Sequence, residues 1–319
     1  MIMRLTYLLK TRVLSIAISI IFLLHNSCQS VESTQSTFIT NTTGKTLNED
    51  FKQGQTSKSS YATSSATKAD DGNLLLGNPS NAINSTDQSE NYLIDHKFYT
   101  ASYSRKKAGP NWVSWHLGPA DLGNTKRLNN FRQDGSLPAG WYEADNTSYK
   151  DSGFNKGHNC PSGDRTSSTA ANASTFLMSN IIPQAPNNNQ RTWEHLESYC
   201  RDQVKKGKEV YVIMGSYGIG GTGSNGYRKT IDDGRITVPA RIWKIVIVIP
   251  NGNNDLQRIN TESKVIAIDT PNDNNITPNW MNYICSVRDI EKATGYNLLS
   301  ALPEVVQNRI ELQKFTGGN

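Results

Sequence analysis

The sequence predicts an α+β fold in which a mostly antiparallel central sheet is flanked by helices. Three observations carry this. Residues 210–214, 242–249 and 264–268 are β-branched apolar runs of strand length. Residues 192–206 place Trp193, Leu196, Cys200 and Val204 at helical spacing, a one-face pattern. Strands and helices do not alternate regularly, which argues against a parallel βαβ wind.

The elements follow in chain order. Arg4, Lys10 and Arg12 precede an apolar run over residues 13–24. That is a basic region and a short hydrophobic region, too short for a comfortable membrane span, so residues 1–28 read as a signal peptide. Cys28 follows Ser27, where a lipoprotein signal places its acylated cysteine. The expectation is an exported protein, either secreted or periplasmic, or tethered to the cell surface membrane through a lipidated Cys28. Residues 29–73 are rich in Ser, Thr, Asn, Gln and Lys and poor in large apolar groups. Such a segment buries too little surface to offset its ordering entropy, so it reads as a disordered stalk. Residues 74–319 have a domain's texture. Residues 112–117 alternate as a strand, and residues 287–294 and 299–312 read as shorter helices. The Gly-rich stretch 215–226 lacks the Lys-Ser/Thr of a phosphate-binding loop and reads as a flexible surface loop.

Charge and cysteines bound the function classes. The 319-residue chain has a formal net charge of +5, and removing the three basic residues of the leader leaves +2. That is too mild to argue for a nucleic-acid partner by itself. Cys160, Cys200 and Cys285 fit no zinc spacing; three cysteines allow one disulfide and one free thiol, or buried single thiols.

The chemistry concentrates in two segments. Asn155-Lys156-Gly157-His158 offers an imidazole able to take a proton from water near neutral pH, with Asn155 and Lys156 as polar partners that could orient the ring. Asn187, Asn188 and Asn189 precede the predicted helix, where Asn serves either as a cap or, at Asn189, as an oxygen ligand for Mg²⁺. Glu197 lies about two helical turns beyond Asn189, close enough to one face to hold metal-bound waters. Arg201, one turn further, suits either an ion pair with Glu197 or a phosphate.

Together with Pro183-Gln184 and the Asn189, Trp193, Glu197 spacing, these residues resemble the signature of the DNA/RNA non-specific endonucleases of the ββα-metal class. Further segments, among them Asn130-Phe131, Asp164-Arg165-Thr166 and Trp243-Lys244, extend a NucA-like resemblance over residues 74–314. The resemblance implies a ββα-metal nuclease fold and metal-dependent hydrolysis of DNA and RNA that leaves 5′-phosphate ends. It implies Mg²⁺, with Mn²⁺ as a substitute, and a protein inhibitor for some relatives. By the same resemblance His158 is the general base, Asn189 the direct metal ligand and Glu197 the holder of metal-bound waters. Arg127 stabilises charge on the phosphate and Arg201 is a second arginine near it. The family usually carries Asp-Arg-Gly-His, whereas this chain has Asn155-Lys156-Gly157-His158. The alternative reading is therefore a weak or inactive nucleic-acid-binding surface protein.

Overall fold

The structure is a computed structural model that describes residues 70–317. The expected signal peptide, Cys28 and residues 29–69 of the expected stalk lie outside the described residues. The packed domain takes in residues 70–73, four residues ahead of the expected boundary: Asn73 accepts from the His116 amide through its side chain and from Ser114 Oγ through its carbonyl.

Seven strands form one sheet: β1 (Tyr92–His96), β2 (Tyr99–Ser104), β3 (Gly109–Leu117), β6 (Lys208–Tyr217), β11 (Arg241–Pro250), β12 (Val265–Pro271) and β13 (Ile284–Cys285), in that spatial order. Every pairing in it is antiparallel. Two short strands, β4 (Asn155–His158) and β5 (Ile181–Gln184), pair apart from this sheet, with the short helix α1 (Thr169–Ser174) between them in the chain. The helix α2 (Glu194–Lys205) follows β5.

The strand runs look continuously apolar because the sheet is covered on both faces. Along β11, Ile242 and Val246 join the core beneath α2, with Leu196, Cys200 and Val204. Trp243, Ile245 and Ile247 point the other way, into a core closed by Val287 and Ile290 of α4 (Val287–Thr294) and by Val306 and Ile310 of α5 (Glu304–Ile310). Each strand therefore feeds two cores at a period of two. The apolar face predicted for α2 is the buried one.

Two expectations change. The last helix is shorter than residues 299–312, because Pro303 caps it; Leu299 and Leu302 are buried in the turns before it. The glycine-rich stretch is not a free loop. β6 continues to Tyr217, and a small hairpin, β7 (Gly221–Gly223) with β8 (Gly226–Arg228), packs beside Gly153 and Asn272, followed by a second short pair, β9 (Thr230–Ile231) with β10 (Ile236–Thr237). The three cysteines are free thiols: Cys160 and Cys200 are buried and Cys285 is half-buried. Burial pushes the pKa of each thiol up to about 12, which keeps all three protonated within the packing.

Candidate active site

β4 pairs with β5 so that Asn155 faces Gln184 and His158 faces Ile181. Strand alternation puts Lys156 and His158 on one side of β4 and Asn155 and Gly157 on the other. Gly157 is required by packing: a Cβ there would lie 2.3 Å from the buried Gln184 Oε1.

His158 is buried against two aromatic rings, Phe131 at 5.4 Å and Phe176 edge-on at 4.9 Å between centroids. Its Nε2 has no hydrogen-bond partner. Burial first, and then the charge of Arg127, lower its pKa to about 3, so the ring is neutral at physiological pH. Asn155 and Lys156 do not orient this ring, contrary to expectation. Asn155 Oδ1 accepts from Asn189 Nδ2 (3.1 Å) and Gln190 Nε2 (2.8 Å). Lys156 Nζ donates to the Asn146 carbonyl at 2.8 Å and lies 4.8 Å over the Phe131 ring. The aromatic walls hold the imidazole instead.

The three consecutive asparagines divide their tasks. Asn187 Nδ2 donates to the Asn274 carbonyl, and Asn188 Nδ2 donates to Thr270 Oγ1 and the Pro271 carbonyl. Neither caps the helix; both anchor it to the chain end of β12. Residues Asn188–Trp193 form a wide π-type turn ahead of α2, a geometry common at functional positions. Asn189 thus reaches the cleft, and its donation to Asn155 leaves its amide oxygen for another partner.

Along α2, Glu194, Glu197 and Arg201 face the same cleft. The Glu197–Arg201 ion pair, the alternative to phosphate contact, is not formed. Arg201 bridges the buried Asp164 at 3.1 Å, and Glu197 bridges Lys244 at 3.4 Å. Burial pushes the Glu197 carboxyl's pKa up, with Lys244 pulling it back down. Arg127 reaches in from the loop after β3; its Nη1 donates to Ser162 Oγ (2.7 Å) and its guanidinium lies 5.0 Å over Phe176.

All seven expected residues, Arg127, Asn155, Lys156, His158, Asn189, Glu197 and Arg201, line one cleft of about 550 Å³. Phe131, Ser162, Gly163, Gln190 and Glu194 line it too and were not foreseen. Only Phe131 and Gln190 left a trace in the sequence, as an aromatic and an amide beside named residues. Lys244, beneath the cleft, left a plainer one as a charge inside an apolar run. The donor set suits a hard divalent cation: an amide oxygen from Asn189 and a carboxylate from Glu197, with no thiol in the cleft.

A second group of ligand-type side chains lies elsewhere: Asp71, His116, Glu209 and Asp255 offer atoms within 4.8 Å of one another. The Arg258 guanidinium already bridges Glu209 and Asp255, Tyr211 donates to Asp255, and His116 Nε2 pairs with Glu209 at 3.1 Å. The protein's own cation balances that group.

Known proteins resemble this chain in sequence and in fold. The family model for DNA/RNA non-specific endonuclease matches residues 77–305. The chain is 43% identical over 238 residues to a nuclease of Nostoc sp. (strain PCC 7120), covering 75% of this chain and 84% of that protein. It is 29% identical over 233 residues to human mitochondrial endonuclease G, covering 71% of this chain and 75% of the relative. The fold also matches a solved endonuclease G in complex with EndoGI, with a TM-score of 0.58 at 20% identity, over 72% of this chain and 91% of that one. This chain belongs to the DNA/RNA non-specific endonuclease family and is a metal-dependent nuclease.

Proposed function

We propose that the protein is an exported, Mg²⁺-dependent endonuclease that hydrolyses DNA and RNA without sequence preference and leaves 5′-phosphate ends. The observation that carries this reading is the convergence of seven residues, from the loop after β3, β4, the turn after β5 and α2, on one cleft.

Asn189 and Glu197 would hold the cation, Asn189 directly and Glu197 through water. The bound cation supplies charge stabilisation at the phosphate and at the leaving 3′-oxygen. His158, neutral because it is buried, takes the proton of the attacking water. The guanidinium groups of Arg127 and Arg201 face the same cleft and stabilise charge on the phosphate oxygens. The cleft presents cations, carboxylates and amides beside the Phe131 and His158 rings, and the arginines suit contacts to the phosphate backbone. Backbone contacts carry no sequence information, which fits tolerance of both nucleic acids. Asn155 keeps the acceptor that holds Asn189 in place, and this retained hydrogen bond favours activity over mere binding even without the usual Asp.

The direct test is digestion of plasmid and RNA with Mg²⁺ or Mn²⁺, with and without EDTA, followed by end-group analysis. Cutting that EDTA stops and products that ligase accepts without prior phosphorylation are expected. His158→Ala is expected to lower the rate by about 10²–10⁴. Undiminished cutting by that variant removes His158 as the base. Tight binding without turnover by the native chain selects the binding-protein reading. Export, and a lipid on Cys28, are tested by cell fractionation and by fatty-acid labelling that Cys28→Ala abolishes. A protein inhibitor, as held by the solved endonuclease G, is tested by adding EndoGI to the digestion.

A further inference from the structure

A lysine ammonium lies in the core beneath α2. The β11 alternation that sends Ile242 and Val246 toward α2 sends Lys244 the same way, opposite Met214 of β6 and Ile268 of β12. Its side chain is 1% exposed. The Nζ lies 4.9 Å from the Trp193 ring and 5.6 Å from the Trp115 ring, and 3.4 Å from Glu197 Oε1. Taking an ammonium out of water is costly, and an apolar side chain of similar size would fill the slot without that cost. A lysine here needs a reason, and its carboxylate partner, Glu197, lines the nuclease cleft.

The same layer repeats the arrangement with opposite sign. Arg201, the next cleft residue along α2, is paired with buried Asp164, whose other oxygen accepts from Trp115 Nε1 at 3.1 Å. Glu197 and Arg201, one turn apart on α2, thus each have a buried counter-charge behind them, and Trp115 touches both counter-charges.

We propose that Lys244 is a positioning residue of the nuclease site: by engaging Glu197 Oε1 from the core side, it fixes that carboxylate toward the position where metal-bound waters are held. This rests on the assignment of Glu197 under the proposed function. Lys244 itself touches neither substrate nor cation. A lysine that served only packing would leave metal affinity alone when replaced by an apolar group of similar length.

The test is Mn²⁺ binding to the full-length protein, followed by electron paramagnetic resonance in the absence of nucleic acid, for the native chain, Lys244→Met, Glu197→Gln and the double variant. Outer partners of a metal site typically carry 10–100-fold in affinity. Lys244→Met is expected to weaken Mn²⁺ binding by about tenfold, toward the Glu197→Gln level, and to raise the Mg²⁺ needed for half-maximal cutting while kcat at saturating Mg²⁺ changes less. The double variant is expected to bind as Glu197→Gln does, because Lys244 acts through that carboxylate. Native affinity in a folded Lys244→Met overturns the inference, as do losses that multiply in the double variant. If Lys244→Met alone does not fold because it strands a buried carboxylate, the double variant lacks that charge and folds; a double variant tenfold weaker than Glu197→Gln then overturns the inference. Absence of Mn²⁺ binding by the native chain defeats the site assignment itself. Weakening by Glu197→Gln but not by Lys244→Met defeats only the role of Lys244.

Discussion

At the scale of single residues, the site depends on environments that composition does not show. His158 binds its proton with a pKa of about 3 in the folded protein, against about 6.5 in an unfolded chain. The unfolded state therefore holds that proton more tightly. The stability linked to His158 is whole above about pH 6.5 and is lost as pH falls toward 3, by about 1.4 kcal/mol per unit at most. Urea unfolding in EDTA at a series of pH values should show this slope, and His158→Asn should flatten it; equal slopes would contradict the buried neutral ring. Asn155 yields a second prediction. An Asp there would accept the same two hydrogen bonds from Asn189 and Gln190 with its charge added. Asn155→Asp should strengthen Mg²⁺ activation roughly fivefold, the equivalent of about 1 kcal/mol. A Mg²⁺ titration of cutting rate checks it, and no change would mean that the neutral amide already suffices. His158, Asn189, Glu197 and Arg201 were legible by type and spacing, and Arg127 only through the family resemblance. What Asn155 and Lys156 touch was not, because a strand sends neighbouring side chains to opposite faces and their partners lie 34 and 10 residues away.

Among the elements, the long ones were legible and the short ones were not. β6, β11, β12 and α2 carry enough apolar residues at one period to be read locally. The pair β4 and β5 is four residues per strand and exists only because each supplies the other's hydrogen bonds. β1 and β2 are a hairpin whose residues include Asp95 and Ser102, polar groups that a periodicity reading discounts. That small β4–β5 pair is the platform for the base, and Gly157 lets Gln184 pack against it. Gly157→Ala should destabilise the protein by about 1–3 kcal/mol, since the added methyl meets a buried side chain in a tight pair. Thermal unfolding measures that loss, and nuclease activity should fall with it as the His158 strand shifts. An alanine variant with native melting and activity would show that Gln184 moves aside freely.

For the whole molecule, two cores on opposite faces of one sheet leave the cleft at the edge where β4, the π-type turn and α2 meet. The N-terminal side of the domain is also part of this packing. Asp70 accepts from the backbone N–H groups of Asn254 and Asp255, at the start of α3 (Asp255–Arg258), and Asn73 ties to β3. Net contributions near 1 kcal/mol per hydrogen bond make a chain beginning at Leu74 less stable than one beginning at Asp70 by roughly 2–4 kcal/mol. Chemical denaturation of the two truncations compares them, and both should still cut nucleic acid, because residues 70–73 do not line the cleft. By itself the sequence determined the α+β class, the strands and helix that carry the cores, and the residue types of the nuclease site, because each of these is written in local period or in a short ordered motif. Only the tertiary structure decided that Asn155 holds Asn189, that aromatic rings hold His158, and that Lys244 and Asp164 stand behind Glu197 and Arg201. Those contacts join residues up to 47 positions apart, and no local pattern records which distant face a folded strand or helix will meet.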